Sequence, residues 1–413
     1  MKKCLIILAV LMCSLSVVAQ QDSIWVFSGK AIHAKTHKPL PFVSVTAHGV
    51  GTVTNEDGEF LLKVRQKPQA ISFSYLGYKT RRLTPSDFKN ISAMEATATV
   101  SMSPSTVVLS EVIVKGGDAR PLVLRAIEKI YDNYPRKPNL LRGFYRETVQ
   151  KRQRFISIAE GVVDVYKSGY QHQDWRDGVS ILKGRRLLSL RQNDTLGVKL
   201  QGGPVLPIHL DVVKERSILF NEEELNNYSF NYLPSETMDQ RLQYVVEMRP
   251  RTVVPYPLFH GRFYIDQETL AFTRIKLELD MSDTQKATSA MLRKKPLGLR
   301  FTPREMSVVI DYKTDEGLTR INYIRNVIRF RCDWKRKVFK SNFMVVSEMV
   351  VTDRNEKEGI RPIKVHDTFN RRDNFYDKVI FFDDPDFWGG ENIIEPTDDL
   401  LNGIEKIKRR IVR

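Results

Sequence analysis

Short runs of alternating apolar and polar residues dominate the region 24–115. In FVSVTA (42–47), Val43, Val45 and Ala47 share one face and polar side chains share the other, which is the period of a half-buried β-strand. The runs EFLLKV (59–64) and AISFSYLGY (70–78) repeat that period, and glycines punctuate the connections. The pattern predicts a β-sandwich of ordinary size for one domain.

A helical period follows in a linker region, residues 116–139. Asp118 can cap a helix, and Pro121 suits a first helical turn, where a backbone N–H is not needed. Apolar residues then recur at helical spacing until Pro135. We predict an amphipathic helix from about Arg120 to Asn133, packed on the sheet that comes after it. Its apolar face comprises Val123, Ile127, Ile130 and Tyr134.

Long alternating strands characterise residues 140–413. RFYIDQETLAFTRIKLELD (262–280) has two alternating arms around a polar turn, which predicts a hairpin. The alternation changes phase around Gly161, which indicates a β-bulge. Two stretches rich in glycine and polar residues, 168–178 and 196–207, are predicted as loops. Strands of this kind favour a large, curved antiparallel sheet with a few helices.

The last part of the chain predicts a short helix that starts at Thr397. Leu400, Ile404 and Ile407 lie on one side of it, and its final turns are basic, which suits the negative end of the helix dipole. The predicted fold class is therefore mainly β. It comprises an N-terminal sandwich, a linker helix, and a large curved antiparallel domain with a C-terminal helix.

The first nineteen residues have the pattern of a secretory signal peptide. Lys2 and Lys3 precede the apolar run Leu5 to Met12, and small residues lead to a cleavage site after Ala19. A lipoprotein signal with its lipid on Cys13 is the alternative. No later apolar run reaches the roughly 18 residues that a spanning helix needs. We expect an exported protein, periplasmic or associated with the outer membrane, that does not span the membrane after cleavage.

Charge and cysteine content narrow the class of partner. The formal net charge is +16, and loss of two lysines with the signal leaves about +14. Export makes nucleic acid an unexpected partner, so lipopolysaccharide, phospholipid headgroups, acidic glycan or another envelope protein is expected. The alternative is that these cations keep strand faces soluble. Cys332 is the single cysteine left after Ala19, so the mature chain has no intramolecular disulfide.

The first domain resembles the carboxypeptidase-regulatory-like, transthyretin-like β-sandwich of exported Bacteroidota proteins. The resemblance rests on SGKAIHAKTHKPLPFVSVTAHGVGTVTNEDGEFLLKV (28–64), on ISFSYLGYKT (71–80) and on LSEVIVKG (109–116). It implies a non-catalytic domain with transthyretin-like or Greek-key strands, found at the front of TonB-dependent receptors and other envelope proteins. Residues 120–170 are similar to uncharacterised Bacteroidota envelope proteins, and the hairpin 262–280 is loosely similar to lipoprotein-carrier folds.

Motifs for enzyme chemistry are missing from the sequence. None of the seven histidines stands in a zinc-protease pattern, and there is no Gly-x-Ser-x-Gly elbow, Walker loop or dinucleotide fingerprint. The turn Asn55 to Gly58 fails as a calcium loop, because Val53 and Val64 occupy ligand positions, and it reads as a hairpin corner. We therefore expect no cofactor, no metal and no catalytic residue.

Two loops carry the candidate ligand-binding residues. Trp175, with Asp174 and Asp177 beside it, could stack on a sugar ring while carboxylates hold hydroxyls, or it could cover a sheet edge. FFDDPDFWGGEN (381–392) is the most acidic stretch and suits cation or glycan binding, glycoside hydrolysis, or simple turn formation. Its candidate residues are Asp383, Asp384, Asp386 and Trp388.

Three functional hypotheses follow from these features. The first is a non-catalytic envelope protein, whose sandwich is a protein- or glycan-interaction module and whose larger domain binds a partner or ligand. The second is a periplasmic lipid or lipoprotein carrier, in which a helix closes a curved sheet over an apolar cavity. The third is a glycan hydrolase that uses the acidic loop. We rank them in that order.

Overall fold

The computed structural model describes residues 24–92, 95–105, 117–171, 177–191, 199–200, 202–334, 340–370, 372–381 and 387–411. The signal segment and the strand predicted at Val107 to Val114 lie outside these residues. Within them, the strands are β1 (Trp25–His33), β2 (Ser44–Ala47), β3 (Val50–Val53), β4 (Glu59–Val64), β5 (Ile71–Ser74), β6 (Arg81–Leu83), β7 (Lys89–Ser92), β8 (Glu95–Met102), β9 (Asn139–Lys151), β10 (Arg154–Lys167), β11 (Gly178–Leu188), β12 (Lys199–Leu200), β13 (Tyr228–Met238), β14 (Arg241–Pro250), β15 (Phe259–Asp266), β16 (Phe272–Leu279), β17 (Leu292–Lys294), β18 (Leu299–Asp315), β19 (Leu318–Trp334), β20 (Ser341–Asn355) and β21 (Ile380–Phe381).

The α-helices of the described residues are few and mostly short. They are α1 (Arg120–Glu128), α2 (Ile130–Asn133), α3 (Leu206–His209), α4 (Glu222–Leu225), α5 (Thr284–Met291) and α6 (Asp398–Ile411). The predicted linker helix is present but is divided at Lys129. The tail helix is confirmed, and Thr397 Oγ1 accepts the N–H of Leu400 at 3.1 Å, as a capping residue does.

Two four-stranded sheets form the N-terminal sandwich. Their strand orders are β4-β1-β8-β7 and β3-β2-β5-β6. The alternating residues predicted to face inward, among them Val43, Val45, Phe60 and Phe73, are buried in one core between the sheets. Antiparallel pairing holds throughout except between β1 and β8, which run parallel. The predicted N-terminal sandwich is confirmed.

Eleven strands of the rest of the described chain form one larger sheet. Its order is β13-β14-β15-β16-β18-β19-β20-β9-β10-β11-β21, antiparallel except for the short pair β11 and β21. The predicted hairpin is β15 and β16. The phase change expected near Gly161 is a register shift between Val162 and Val163. The stretch 196–207, predicted as a loop, instead contains β12 and the start of α3. A mainly β fold with a large antiparallel sheet is confirmed.

Helices and loops cover one face of the large sheet. Leu122, Val123 and Ile130 of α1 and α2 are at most 2% exposed, and they share a core with Tyr145 and Ile275 of the sheet. Residues 205–225 add further buried apolar side chains to this core. The carrier hypothesis predicts an apolar cavity for an acyl chain between the helices and the sheet. In the structure, these side chains lie there instead.

The sandwich and a C-terminal segment, residues 387–398, cover the opposite face. Val53 of the sandwich shares an apolar cluster with Phe144 and Val350 of the sheet and with Ile393 and Ile394 of that segment. Polar contacts reinforce the packing: Thr52 Oγ1 donates to the Ile393 carbonyl at 2.7 Å. The large sheet is therefore buried on both faces, which explains its long strands of apolar residues.

The turn Asn55 to Gly58 is a corner, as the sequence predicts. Asn55 Oδ1 accepts the backbone N–H groups of Asp57 at 3.0 Å and Glu59 at 2.8 Å. Asn55 Nδ2 also donates to the Pro396 carbonyl at 3.3 Å, and Asp57 Oδ2 accepts the N–H of Asp398 at 3.0 Å. The corner therefore also fastens the C-terminal segment to the sandwich.

Gly58→Ala is expected to destabilise the protein by about 1–3 kcal/mol. Gly58 has φ +78°, and an added Cβ would lie 2.6 Å from the Ala31 carbonyl oxygen. Gly49→Ala is the matched control, because Gly49 has φ +75° with nothing within 4 Å of an added Cβ. Urea unfolding of both variants separates the cost of the backbone angle from that of the close contact. Equal losses would show that the close contact has no effect.

Candidate functional site

Trp388 is the predicted ligand residue that falls within the described chain. Trp175, Asp383, Asp384 and Asp386 lie outside the described residues, so the structure does not place them. Trp388 is 5% exposed. Phe144 packs against it edge-on at 5.3 Å between ring centroids, and the Arg185 guanidinium lies 4.8 Å from its ring centre. Protein contacts therefore occupy this ring, which anchors the C-terminal segment to the sheet.

The acids beside the two predicted loops are also engaged within the protein. Asp177 Oδ2 lies 2.9 Å from Lys167 Nζ in the interior, and Glu391 Oε1 lies 3.8 Å from an Arg142 nitrogen. Asp177 contributes to the core rather than to a sugar-binding surface. Among the described residues, neither Asp177 nor Glu391 faces a second carboxylate across an open cleft.

A buried ionic cluster surrounds Lys167, and we call it the lysine cluster. Lys167 Nζ lies 2.8 Å from Asp211 Oδ2 and 2.9 Å from Asp177 Oδ2. Tyr170 and Tyr312 donate their hydroxyls to Asp211 at 2.9 and 2.7 Å. The cluster stands in a nearly dry interior, since Lys167, Tyr170, Tyr312 and Asp211 are each at most 2% exposed. The cluster joins β10, β18 and the loop after α3.

The electrostatics of the lysine cluster favour its ionised form. Burial would lower the pKa of Lys167, but the two carboxylates outweigh it and raise that pKa. Burial would likewise raise the pKa of Asp177, but Lys167 and the Ser168 N–H hold it below its usual value. Burial and the Asp211 charge raise the pKa of the Tyr170 and Tyr312 hydroxyls well above their usual range. Close opposite charges therefore hold the lysine cluster together as a buried ionic network.

A second buried cluster, the arginine cluster, lies on the opposite face of the sheet. Glu160 accepts from Arg146 Nε at 2.7 Å and from Arg185 Nε at 2.9 Å. Arg146 also donates to the Ile394 carbonyl at 2.6 Å. Burial alone would raise the pKa of Glu160, but the two guanidiniums outweigh it and lower that pKa. This cluster holds the C-terminal segment and leaves Glu160 no access to solvent.

An open concavity lies where the sandwich meets the end of the large sheet. This interdomain cleft has a volume of about 970 Å³. The sandwich supplies residues of β2, β5 and β6, and the large sheet supplies the turns after β13 and β18 and the end of β20. Ligand sites commonly occur at such domain boundaries. The interdomain cleft is the candidate functional site.

Lys313 and Arg354 are the cations of the cleft with the most perturbed environments. Lys313 Nζ donates to Thr46 Oγ1 across the domain boundary at 2.6 Å. Loss of water around Lys313 lowers its pKa, partly offset by Asp239 and Asp315. Burial and the nearby Arg320 charge lower the pKa of Arg354 to about 10. Its Nε has no hydrogen-bond partner among the described residues.

Two further cations of the cleft are paired with carboxylates. Arg241 lies 2.9 Å from Asp266, and Arg320 contacts Glu356 through two nitrogens, at 2.5 and 2.7 Å. Amides and hydroxyls complete the lining: Gln69, Gln240, Gln243, Thr46, Ser72, Thr80, Thr273 and Thr314. The cleft thus offers donors and acceptors side by side without a dominant charge.

Sequence reasoning did not identify this site. Lys313 stands in DYKTDEG at a strand end, where lysine is usually solvated, and Thr46 lies 267 residues away. One feature of the sequence could have indicated the site: within β18, Lys313 follows a run of alternating apolar residues. In the part of the chain that the structure describes, no group of three or more His, Cys, Asp or Glu side chains is arranged to hold a metal ion. Among the described residues there is also no helix long and apolar enough to cross a membrane.

The N-terminal part of the chain matches the model of a known protein family. The family model described as the CarboxypepD_reg-like domain matches residues 27–114. Residues 27–114 form a CarboxypepD_reg-like domain. The resemblance read from the turn and strand motifs is thereby confirmed. The CarboxypepD_reg-like domain supplies Thr46, Ser72 and Arg82 to the interdomain cleft, so one wall of the candidate site belongs to it.

Solved structures with detectable similarity are remote. A DUF1329 family protein from Desulfovibrio piger ATCC 29098 has 10% identity and a TM-score of 0.24, over 59% of this chain and 96% of that chain. A chain of the Pseudomonas aeruginosa MucA/MucB complex has 13% identity and a TM-score of 0.18, over 56% and 93%. A Bacteroides fragilis NCTC 9343 protein of unknown function has 10% identity and a TM-score of 0.17, over 80% and 98%.

These scores define neither the fold nor the function of the region after the CarboxypepD_reg-like domain. No curated protein matches the sequence significantly. The case for function therefore rests on the chain's own residues.

Proposed function

We propose that this chain is a non-catalytic binding protein of the cell envelope, and that its two domains together hold a hydroxyl-rich polar ligand, an oligosaccharide, in the interdomain cleft. The observation that carries the proposal is the cleft itself, about 970 Å³ in volume and lined from both domains by polar side chains. That volume lies within the range of small-molecule sites, roughly 300–1,000 Å³.

The lining chemistry favours sugar hydroxyls over an apolar or strongly charged ligand. A hydroxyl both donates and accepts, so it is satisfied where amides, carboxylates and cations alternate. Gln240 and Gln243 stand beside Asp239 and Arg241 in this way. An acyl chain would leave these polar groups unpaired, and burying unpaired polar groups is unfavourable.

Lys313 and Arg354 are the proposed ligand anchors. One proton of the Lys313 ammonium is used on Thr46, which leaves two donors. Arg354 donates to the Ile321 carbonyl at 2.8 Å, and its guanidinium carries further N–H donors. Both side chains are partly buried in the cleft, so a ligand that accepts from them regains hydrogen bonds at little further desolvation cost.

The bound oligosaccharide is held in the cleft and is not cleaved there. Asp266 is held by Arg241 and by the N–H groups of Glu268 and Thr269, and Glu356 is held by Arg320. Carboxylate oxygens that are engaged by these partners are poorly placed to transfer a proton to a glycosidic oxygen. Export to the envelope rests on the signal pattern of residues 1–19 and the strongly basic composition.

Lys313→Met is expected to weaken oligosaccharide binding about tenfold or more, because it removes a charged donor. Stability should change little or rise, because no carboxylate is left unpaired and a desolvated charge is removed. Isothermal titration with soluble envelope oligosaccharides measures the affinity. Lys89→Met, at an exposed position on the far sheet of the sandwich, is the matched control.

Three results would contradict the proposal. Affinity unchanged in Lys313→Met would remove the cleft as the binding site. A stoichiometric acyl lipid seen by native mass spectrometry after gentle purification would support the carrier function instead. Conversion of the bound sugar during the titration would establish an enzyme.

A further inference from the structure

One end of the large sheet, remote from the cleft, brings several turns together. It comprises the starts of β18 and β20, the turn between β9 and β10, and the residues after β11. Strands lie about 4.8 Å apart, so the six strands from β18 to β11 span about 24 Å. The register pairs that define this end are Leu299 with Trp334, Ser341 with Cys332, Lys151 with Phe343, and Leu188 with Ser157.

Positive charge is concentrated at this end, which we call the basic edge. The segments 151–154, 189–191, 293–300 and 340–341 contain no Asp or Glu. Their nine cations are Lys151, Arg152, Arg154, Arg191, Arg293, Lys294, Lys295, Arg300 and Lys340. The opposite end of the same sheet, at the cleft, mixes both signs of charge. Asp239, Asp315, Glu316, Asp353, Glu356 and Glu358 stand there together with Arg241, Lys313, Arg320, Arg354 and Lys357. The excess of positive charge is therefore found at one end of the strands.

Two leucines project from the basic edge. Leu297 is 99% exposed and Leu190 is 65% exposed. Leu297 stands at the tip of a turn between β17 and β18, where the Leu299 N–H donates to the Pro296 carbonyl at 3.3 Å. Lys295 Nζ donates to the Leu299 carbonyl at 2.9 Å and braces the same turn. The turn holds an apolar side chain outward in the middle of the cations.

We propose that the basic edge docks on an anionic phospholipid bilayer. Lys and Arg side chains match the phosphates of the headgroups, and Leu297 and Leu190 are placed to enter the boundary with the acyl chains. A soluble polyanion would engage the cations but would leave both leucines without a role. Docking at this edge would direct the interdomain cleft away from the membrane, toward a ligand in the aqueous compartment.

The test is sedimentation of the purified mature chain with phosphatidylcholine vesicles, with and without about one-third phosphatidylglycerol. We expect binding to the anionic vesicles alone, and its loss as NaCl rises from about 50 to about 300 mM. The triple substitution Lys294→Gln, Arg300→Gln and Lys340→Gln should weaken binding about a hundredfold, since each cation near an anionic surface contributes about fivefold.

Matched controls lie at the other end of the sheet. Lys357→Gln, Arg361→Gln and Lys364→Gln remove the same charge from exposed positions and should leave vesicle binding unchanged. Leu297→Gln should weaken binding about tenfold at constant charge, whereas Val365→Gln, at a side chain 93% exposed, should not.

Several outcomes would overturn the proposal. They are equal binding to neutral vesicles, equal losses in the two triple variants, and an unchanged affinity in Leu297→Gln. Binding to a soluble acidic polysaccharide without binding to anionic vesicles would instead make the edge a glycan-binding surface. None of the substituted side chains is buried, so circular dichroism and urea unfolding should match the unsubstituted protein.

Discussion

Lys167→Met is expected to lower the free energy of unfolding by about 3–5 kcal/mol. The substitution keeps the length of the side chain but removes the ammonium that contacts both buried carboxylates, Asp177 and Asp211, and leaves Lys214 as the nearby cation. Lys167 and Asp211 are at most 2% exposed, so water cannot replace the lost partner. Breaking a buried ion pair on one side is much more costly than replacing the whole pair with apolar groups.

Urea unfolding followed by tryptophan fluorescence measures the loss. Lys137→Met is the control, because Lys137 lies 2.8 Å from Glu358 with 77% of its side chain exposed, and an exposed ion pair contributes little to stability. Adding Asp211→Asn to Lys167→Met should recover part of the stability, since it removes one uncompensated charge. A loss no larger than that of the control would refute a structural role for the lysine cluster.

The stability lost in Lys167→Met is expected to depend on pH. Asp177 has a lowered pKa in the folded protein, so its contribution to stability is present above the ordinary carboxyl pKa and is lost as pH falls through the folded value. Lys167→Met removes the cause of that lowering. The stability difference between the two proteins should therefore shrink as pH falls from about 7 to about 4 and below.

Glu160→Gln is expected to cost a similar amount, about 3–5 kcal/mol. It removes the carboxylate that contacts both buried guanidiniums, while Arg146 keeps Glu348 at 3.6 Å. Arg146 also holds the Ile394 carbonyl, so the contact between the C-terminal segment and the sheet should loosen. Hydrogen exchange should accelerate first in the segment around Ile394 and in α6.

The control for this variant is Glu305→Gln. Glu305 lies 3.1 Å from Arg329, and 41% of its side chain is exposed, so its loss should change stability by less than about 1 kcal/mol. Uniform acceleration of exchange over the whole chain in Glu160→Gln would show that the arginine cluster stabilises the protein without any special tie to the C-terminal segment.

Much of the fold could be predicted because its elements are periodic. Val43, Val45 and Ala47 alternate, and Leu400, Ile404 and Ile407 repeat at helical spacing, so local sequence determines which side chains face a core. The break at Lys129 was missed because no proline or glycine marks it. The docking of the sandwich was also missed, because polar groups such as Thr52 and Asn55 make the contacts through the backbone of the C-terminal segment.

The candidate site was harder to predict for a different reason. Trp388 and Asp177 were chosen for their chemical types, but the structure places both in the interior. Lys313 has an ordinary sequence context, and its unusual environment arises from the sandwich that closes over it. A site between two domains is created by their relative placement, and alternation along one strand carries no information about that placement.

The packing of the C-terminal segment, residues 387–398, on the sandwich has a consequence for the order of folding. Asn55 and Pro396 are 341 positions apart, so this contact closes a very large loop and belongs to the slow, non-local class. The sandwich has its own core and can form early, before residues 387–398 have been synthesised. We therefore expect the two domains to be folded but undocked for a time, with the cleft assembled last.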